Sequence, residues 1–224
     1  MFRRLLPFAV LAASAAIAGD VPKTPLDPVT LTGIPGQLRW NNAPVSWKSG
    51  ADGLAITAGG NTDWFISPLD RKAVSSAPML LFEPAADFTL SARVRIDFQK
   101  QWDAGCLMVY SSQRTWAKLA FEMSAYNEPT VVSVVTRGVS DDVNSATVSG
   151  NSTYFQVART GQALFFYASA DGRVWKLVRS FTLGTADHLR AGFAAQSPIG
   201  NGATAAFSDI RYTPRKIADI FKGE

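Results

Sequence analysis

One cysteine and one histidine are all that 224 residues contain of the two most versatile catalytic and metal-binding side chains. A lone thiol, Cys106, forms no intramolecular disulfide, so an exported form of the chain has to hold together on its core. One Cys and one His build no Cys/His metal centre, and a Ser-His-Asp or thiol–imidazole catalyst has only His188 to draw on. That histidine opens the run "HLRAGFAAQS" and reads as structural. Cys106 lies within "AGCLMVY", the apolar setting of an inert buried thiol. Charged residues are few, at 18%, and the basic surplus is spread along the chain instead of gathered into a stripe, which argues against nucleic acid. No run approaches the ~20 apolar residues of a membrane-spanning helix. No cofactor is expected, and no metal: "DDVN" (141–144) and "SPIGNG" (197–202) hold suitable oxygens for calcium, but neither has a calcium-loop spacing.

The first eighteen residues combine a basic start, "MFRR", an apolar run, "LLPFAVLAA", and a small-x-small site at Ala16-Ile17-Ala18. This is the pattern of a secretory signal peptide cut before Gly19, and it implies a periplasmic or secreted protein. Arg3 and Arg4 leave with it, so two of the four net positive charges belong to the signal. Residues 19–36, "GDVPKTPLDPVTLTGIPG", carry four prolines and read as an extended leader.

From Gln37 to Thr213 the texture is that of one β domain, with a tail over 214–224 in which "RKIADIFKG" suggests a short helix. Strands are expected over 53–59, 87–98, 105–112, 115–126, 130–138, 153–161, 162–183, 188–197 and 203–213. Leu90, Ala92, Val94 and Ile96 alternate with Ser91, Arg93, Arg95 and Asp97, as a half-buried strand requires. Regular strands with Gly-rich turns predict an all-β sandwich or barrel. Within 162–183, "SADGRVW" resembles the Asp-box turns of sugar-processing proteins but lacks their extra residue between Asp and Gly. Asp171-Gly172 between two apolar runs reads as a hairpin turn.

The order of motifs is more specific. "LRWNNAPVSW", "NTDWF", "APMLLFEPAADFTLSARVRI", "DAGCLMVYSSQRTWAKLAFEM", "VVSVVTRGVSDD" and "FQVARTGQALFFYASADGRVWKLVR" follow one another, and "AGFAAQSPIGNGATAAFSDI" completes the series. This order resembles an uncharacterised bacterial and fungal domain family similar to the yeast regulator of enolase. The resemblance runs from about Leu38 to Tyr212 and is strongest at Trp116, Lys118 and Glu122 followed by "SVVT" (133–136). It implies a concanavalin A-like jelly roll of two antiparallel sheets. Where the family continues with Ser-Asp-Trp, this chain has Ser140-Asp141-Asp142, so an aromatic side of a groove is missing there.

On "TWAKLAFEM", Trp116, Lys118, Ala120 and Glu122 share one face and Ala117, Leu119, Phe121 and Met123 the other. Lys118 and Glu122 are then roughly 13 Å apart along the strand, too far for a direct pair but both able to line a groove. Ser133 and Thr136 on the next run, and Asp63, Trp64 and Arg159 from the family pattern, complete the expected ligand-binding set. Tryptophan beside charged and hydroxyl groups suits a sugar, whose C–H face stacks on the ring. Glycoside hydrolysis needs two facing carboxyls, and no Glu-x-Asp-x-Glu run supplies them. The leading expectation is a carbohydrate-binding, lectin-like domain without catalysis, whose partner is an oligo- or polysaccharide. The alternatives are a glucanase-like hydrolase or lyase using Glu122, and a module that binds a protein of the cell envelope.

Overall fold

The computed structural model describes residues 27–184 and 188–224; the expected signal peptide lies outside them. The first strands are β1 (Arg39–Asn41), β2 (Ser46–Gly50), β3 (Gly53–Gly59), β4 (Trp64–Ile66), β5 (Ala73–Ser75) and β6 (Met79–Phe82). The middle of the chain forms β7 (Phe88–Ile96), β8 (Ala104–Ser112), β9 (Thr115–Met123), β10 (Pro129–Arg137) and β11 (Ser140–Thr147). Then follow β12 (Ser152–Thr160), β13 (Ala163–Ser169), β14 (Lys176–Phe181), β15 (Arg190–Gln196) and β16 (Gly202–Thr213). Two antiparallel seven-stranded sheets result, in the orders β1-β6-β15-β8-β9-β10-β11 and β14-β13-β12-β7-β16-β3-β2. This is the concanavalin A-like jelly-roll sandwich. No described residue is helical, and none belongs to a helix long and apolar enough to cross a membrane.

The alternation of β7 sets the main core. Leu90, Ala92, Val94 and Ile96 are fully buried and meet Leu107, Val109, Leu119 and Phe121 of the first sheet in one apolar cluster. Each of these Leu, Val, Ile and Phe side chains contributes roughly 1.5–3 kcal/mol by leaving water, and Ala92 less. Phe193 and Phe207 pack across the sheets with ring centroids 5.0 Å apart. Gly105 lets the sheets approach: a Cβ there would stand 2.9 Å from both Ala205 and Val94.

Two expectations about the ends need correcting. The described part of the leader is packed: Val29, Leu31 and Ile34 are buried in the main core, and Val29 bridges Leu38. Three well-spaced apolar residues are enough to close the sandwich edge, so the packed body begins before Gln37. The tail forms turns instead of a helix. Ile217 is buried, Tyr167 Oη donates to Ile220 O (2.7 Å), and Gln156 Nε2 donates to Gly223 O (2.7 Å). Side chains of the second sheet thus fix the tail through its carbonyls. The Asp171-Gly172 stretch is the expected turn between β13 and β14. Asp171 Oδ1 accepts from the Arg173 and Val174 amides (2.9 Å each), and Gly172 has φ 70°. Those amides hold the Asp171 carboxyl down at about 2.

Candidate functional site

The outer face of the first sheet carries a second cluster, made by the opposite parity of the same strands. Cys106 and Met108 of β8, Trp116 and Ala120 of β9, and Val132 and Val134 of β10 belong to it. Strands β8, β9 and β10 are therefore buried on both faces along most of their length. The cover comes from the segment around β4 and β5. Trp64 lies edge-on to Trp116 and Tyr110, at 5.9 and 5.6 Å, and its indole nitrogen donates to Ala77 O (2.8 Å). The Ile66 amide is tied to Ser140 Oγ (2.9 Å), which shares a hydrogen bond with Thr136 Oγ1 (2.8 Å).

Beside this cover a groove of about 460 Å³ stays open, lined in part by Asp63, Phe65, Trp102, Lys118, Glu122, Asp142, Asn144 and Gln196. Pairing explains the set. Glu122 stands opposite Ala104, which stands opposite Gln196; Val134 stands opposite both Lys118 and Asp142. Val132 and Val134 of β10 line the groove between the longer side chains.

Lys118 is buried and its ammonium makes three contacts: Gln196 Oε1 at 2.7 Å, Trp64 O at 2.8 Å and Asp63 Oδ1 at 3.0 Å. An ammonium has three hydrogens, so all are used within the protein. Burial works against its charge, but the facing Asp63 and nearby Glu122 outweigh that and hold its pKa above the usual lysine value. Gln196 Nε2 in turn donates to Trp102 O (3.0 Å) and approaches Glu122 Oε2 at 3.5 Å. Lys118 and Glu122, too distant to pair directly, are thus linked through Gln196.

Glu122 is 8% exposed, and among the described residues its Oε1 has no hydrogen-bond partner. Burial pushes its carboxyl up to about 8 against the opposing pull of Lys118, with Asp63 and Asp142 adding to the rise. The protonated form is therefore favoured at neutral pH. Burial also raises the Cys106 thiol to about 12, which keeps it inert. Trp102 is 38% exposed and sits at φ 65°, a left-handed conformation costly for a bulky side chain. Its loop is fixed by Asp103, whose Oδ2 accepts from the Gln99 and Lys100 amides (2.9 and 2.8 Å) and whose Oδ1 accepts from Ser197 Oγ (2.6 Å).

Of the seven expected residues, Asp63, Lys118 and Glu122 line the groove. Trp64 is 2% exposed and belongs to the cover, so it offers no stacking face. Thr136 is fully buried and anchors that cover through Ser140. Ser133 is misplaced: it pairs with Leu119, points into the main core and leaves its hydroxyl buried without a partner. Arg159 belongs to the second sheet, where its Nε donates to Gly161 O (2.9 Å). Trp102, Phe65, Asp142, Gln196 and Asn144 also line the groove and were not expected. Trp102 sits in "KQWDAG", an exposed aromatic in a turn, which is the one signal that could have found it. Among the described residues no cluster of three or more His, Cys, Asp or Glu is placed to hold a metal ion.

Among solved structures the chain is similar to a functionally unknown protein from Saccharomyces cerevisiae. The identity is 27%, over 80% of this chain and 96% of that one, with a TM-score of 0.74. It is also similar to the GH43 BlXynB protein from Bacillus licheniformis, at 16% identity and a TM-score of 0.62, covering 80% of this chain and 36% of that one. A xylan beta-1,4-xylosidase from Bacillus halodurans shows 13% identity and a TM-score of 0.59, over 87% of this chain and 41% of the enzyme. The chain spans well under half of either enzyme, and at these identities the likeness establishes the fold alone. No curated protein matches. Residues 40–215 match the family described as "Protein of unknown function (DUF1349)", and the chain belongs to that family.

Proposed function

Taking that membership as the premise, we propose that the protein is an exported carbohydrate-binding, lectin-like domain whose ligand lies in the groove over β8, β9 and β10. The observation that carries this reading is the pairing of Trp102 with Glu122. A part-exposed tryptophan in a strained backbone conformation lines the same groove as a nine-tenths buried carboxyl with a free oxygen. An aromatic face for the ring and a few fixed polar groups for the hydroxyls are what a sugar site requires. Asn144 adds both a donor and an acceptor. Export rests on the signal-peptide pattern of residues 1–18. A glycan array probed with the purified protein, with a reducing-sugar assay on every hit, tests the reading. Saturable binding without turnover supports it. Silence across the array contradicts it and favours the envelope-protein module.

The state of Glu122 favours a second reading. A carboxyl whose pKa is pushed up to about 8 by burial is suited to protonate a glycosidic oxygen. Its companion carboxylate would be Asp142, since Asp63 is bound to Lys118 and to the Trp64 amide (2.7 Å). Release of reducing ends, abolished by Glu122→Gln and by Asp142→Asn alike, would establish this hydrolase in place of the lectin.

A further inference from the structure

Among the described residues the groove has no free cation. Lys118, its one basic lining residue, has each ammonium hydrogen directed at a protein oxygen. Asp63 offsets that charge in an ion pair of 3.0 Å. What faces the ligand space then carries negative charge without positive: the Asp142 carboxylate, beside the Glu122 carboxyl with an unpartnered Oε1 and the Asn144 side chain, which can each donate as well as accept. Asp142 is exposed on β11 and makes no ion pair among the described residues; its neighbour Asp141 is the one bound to Arg179, at 3.0 Å. A ligand carboxylate or sulfate entering here meets Asp142, desolvates beside Glu122 and finds no cation to compensate it, a combination that disfavours binding.

We infer that the groove selects neutral saccharides and rejects sugars that carry an acid group. The inference rests on the carbohydrate-binding reading of the same groove. Asp142 is its discriminating residue: on an edge strand and outside the Lys118 network, it can be exchanged without disturbing the fold. Trp102 supplies the stacking face common to neutral and acidic rings alike, so it sets affinity and leaves the choice to Asp142.

The test is equilibrium titration of the full chain with three probes of equal length: xylo-, cello- and galacturono-oligosaccharides, at pH 7 and low ionic strength. A neutral probe should bind at least tenfold more tightly than the galacturonate. Asp142→Asn should narrow that gap to threefold or less by improving the acidic probe, and added salt should narrow it in the native protein by screening. An acidic probe that binds as well as both neutral ones, or a gap unchanged by Asp142→Asn, overturns the inference while leaving the carbohydrate-binding reading intact. Failure of all three probes, repeated across a broad glycan array, overturns that reading and the inference with it.

Discussion

The outer faces of the two sheets are built from the same alternating strands, yet they treat charge in opposite ways. On the second sheet β7 turns Ser91, Arg93 and Arg95 outward, and Arg93 reaches Ser152 Oγ (3.0 Å) in an exposed contact. On the first sheet β9 turns Trp116, Lys118, Ala120 and Glu122 outward, and all four are buried. The difference is the cover. Residues around β4 and β5, pinned through Ser140 and Thr136, remove the face of the first sheet from water and leave one gap in it. A charge on the open face is solvated and costs little. A charge under the cover has to be satisfied by the protein, and this demand explains why Lys118 spends its three hydrogens and why Glu122 keeps its proton.

The largest break in this contrast should come from Lys118→Ala. Asp63, the Trp64 carbonyl and Gln196 then lose their shared donor, with an expected cost of about 3 kcal/mol, read as a lower denaturant midpoint. Arg93→Ala on the open face should change stability by less than about 0.5 kcal/mol.

The pH dependence sharpens the contrast next. Glu122 ionises near the ordinary carboxyl value of 4.5 when unfolded but at about 8 when folded. Unfolding therefore releases a proton between those values. The stabilisation is complete below 4.5, declines as pH rises through the window, and is gone above 8. The slope is at most about 1.4 kcal/mol per pH unit. Glu122→Gln should flatten this slope in a denaturation series from pH 4 to 9 while the fold is kept.

Smaller effects fall on residues at the margins. Trp102→Gly should weaken a bound saccharide at least tenfold, about 1.4 kcal/mol, with stability little changed because glycine relieves the positive φ. Ser133→Ala removes a partnerless buried hydroxyl and should shift stability by no more than about 1 kcal/mol in either direction. Arg159→Ala should leave saccharide affinity unchanged within error.

How much of this was legible follows from where periodicity exists. The alternation of β7 declared its buried face outright. Parity on "TWAKLAFEM" put Lys118 and Glu122 on one face, which the structure shows, because side-chain direction within one strand needs no knowledge of its neighbours. Ser133 failed for the complementary reason. Its face depends on register with β9, where it pairs with Leu119, and a polar residue can occupy the core side of a strand. Trp64 and Arg159 entered from the family pattern, which marks positions without saying which are packed. Strands β4 and β5, three residues each, are too short for any period, so the cover over the site was invisible. Trp102 and Gln196 come from a loop and a strand end and meet only when the sheet is assembled.

The central claim, that a saccharide lies in this groove, is tested most directly by one calorimetric comparison: the native protein and Trp102→Gly titrated in parallel with the best neutral oligosaccharide from the array. The account predicts saturable binding to the native protein and at least a tenfold loss in a variant that unfolds at the same denaturant concentration. Equal binding by the two proteins would place the ligand elsewhere on the molecule and contradict the site.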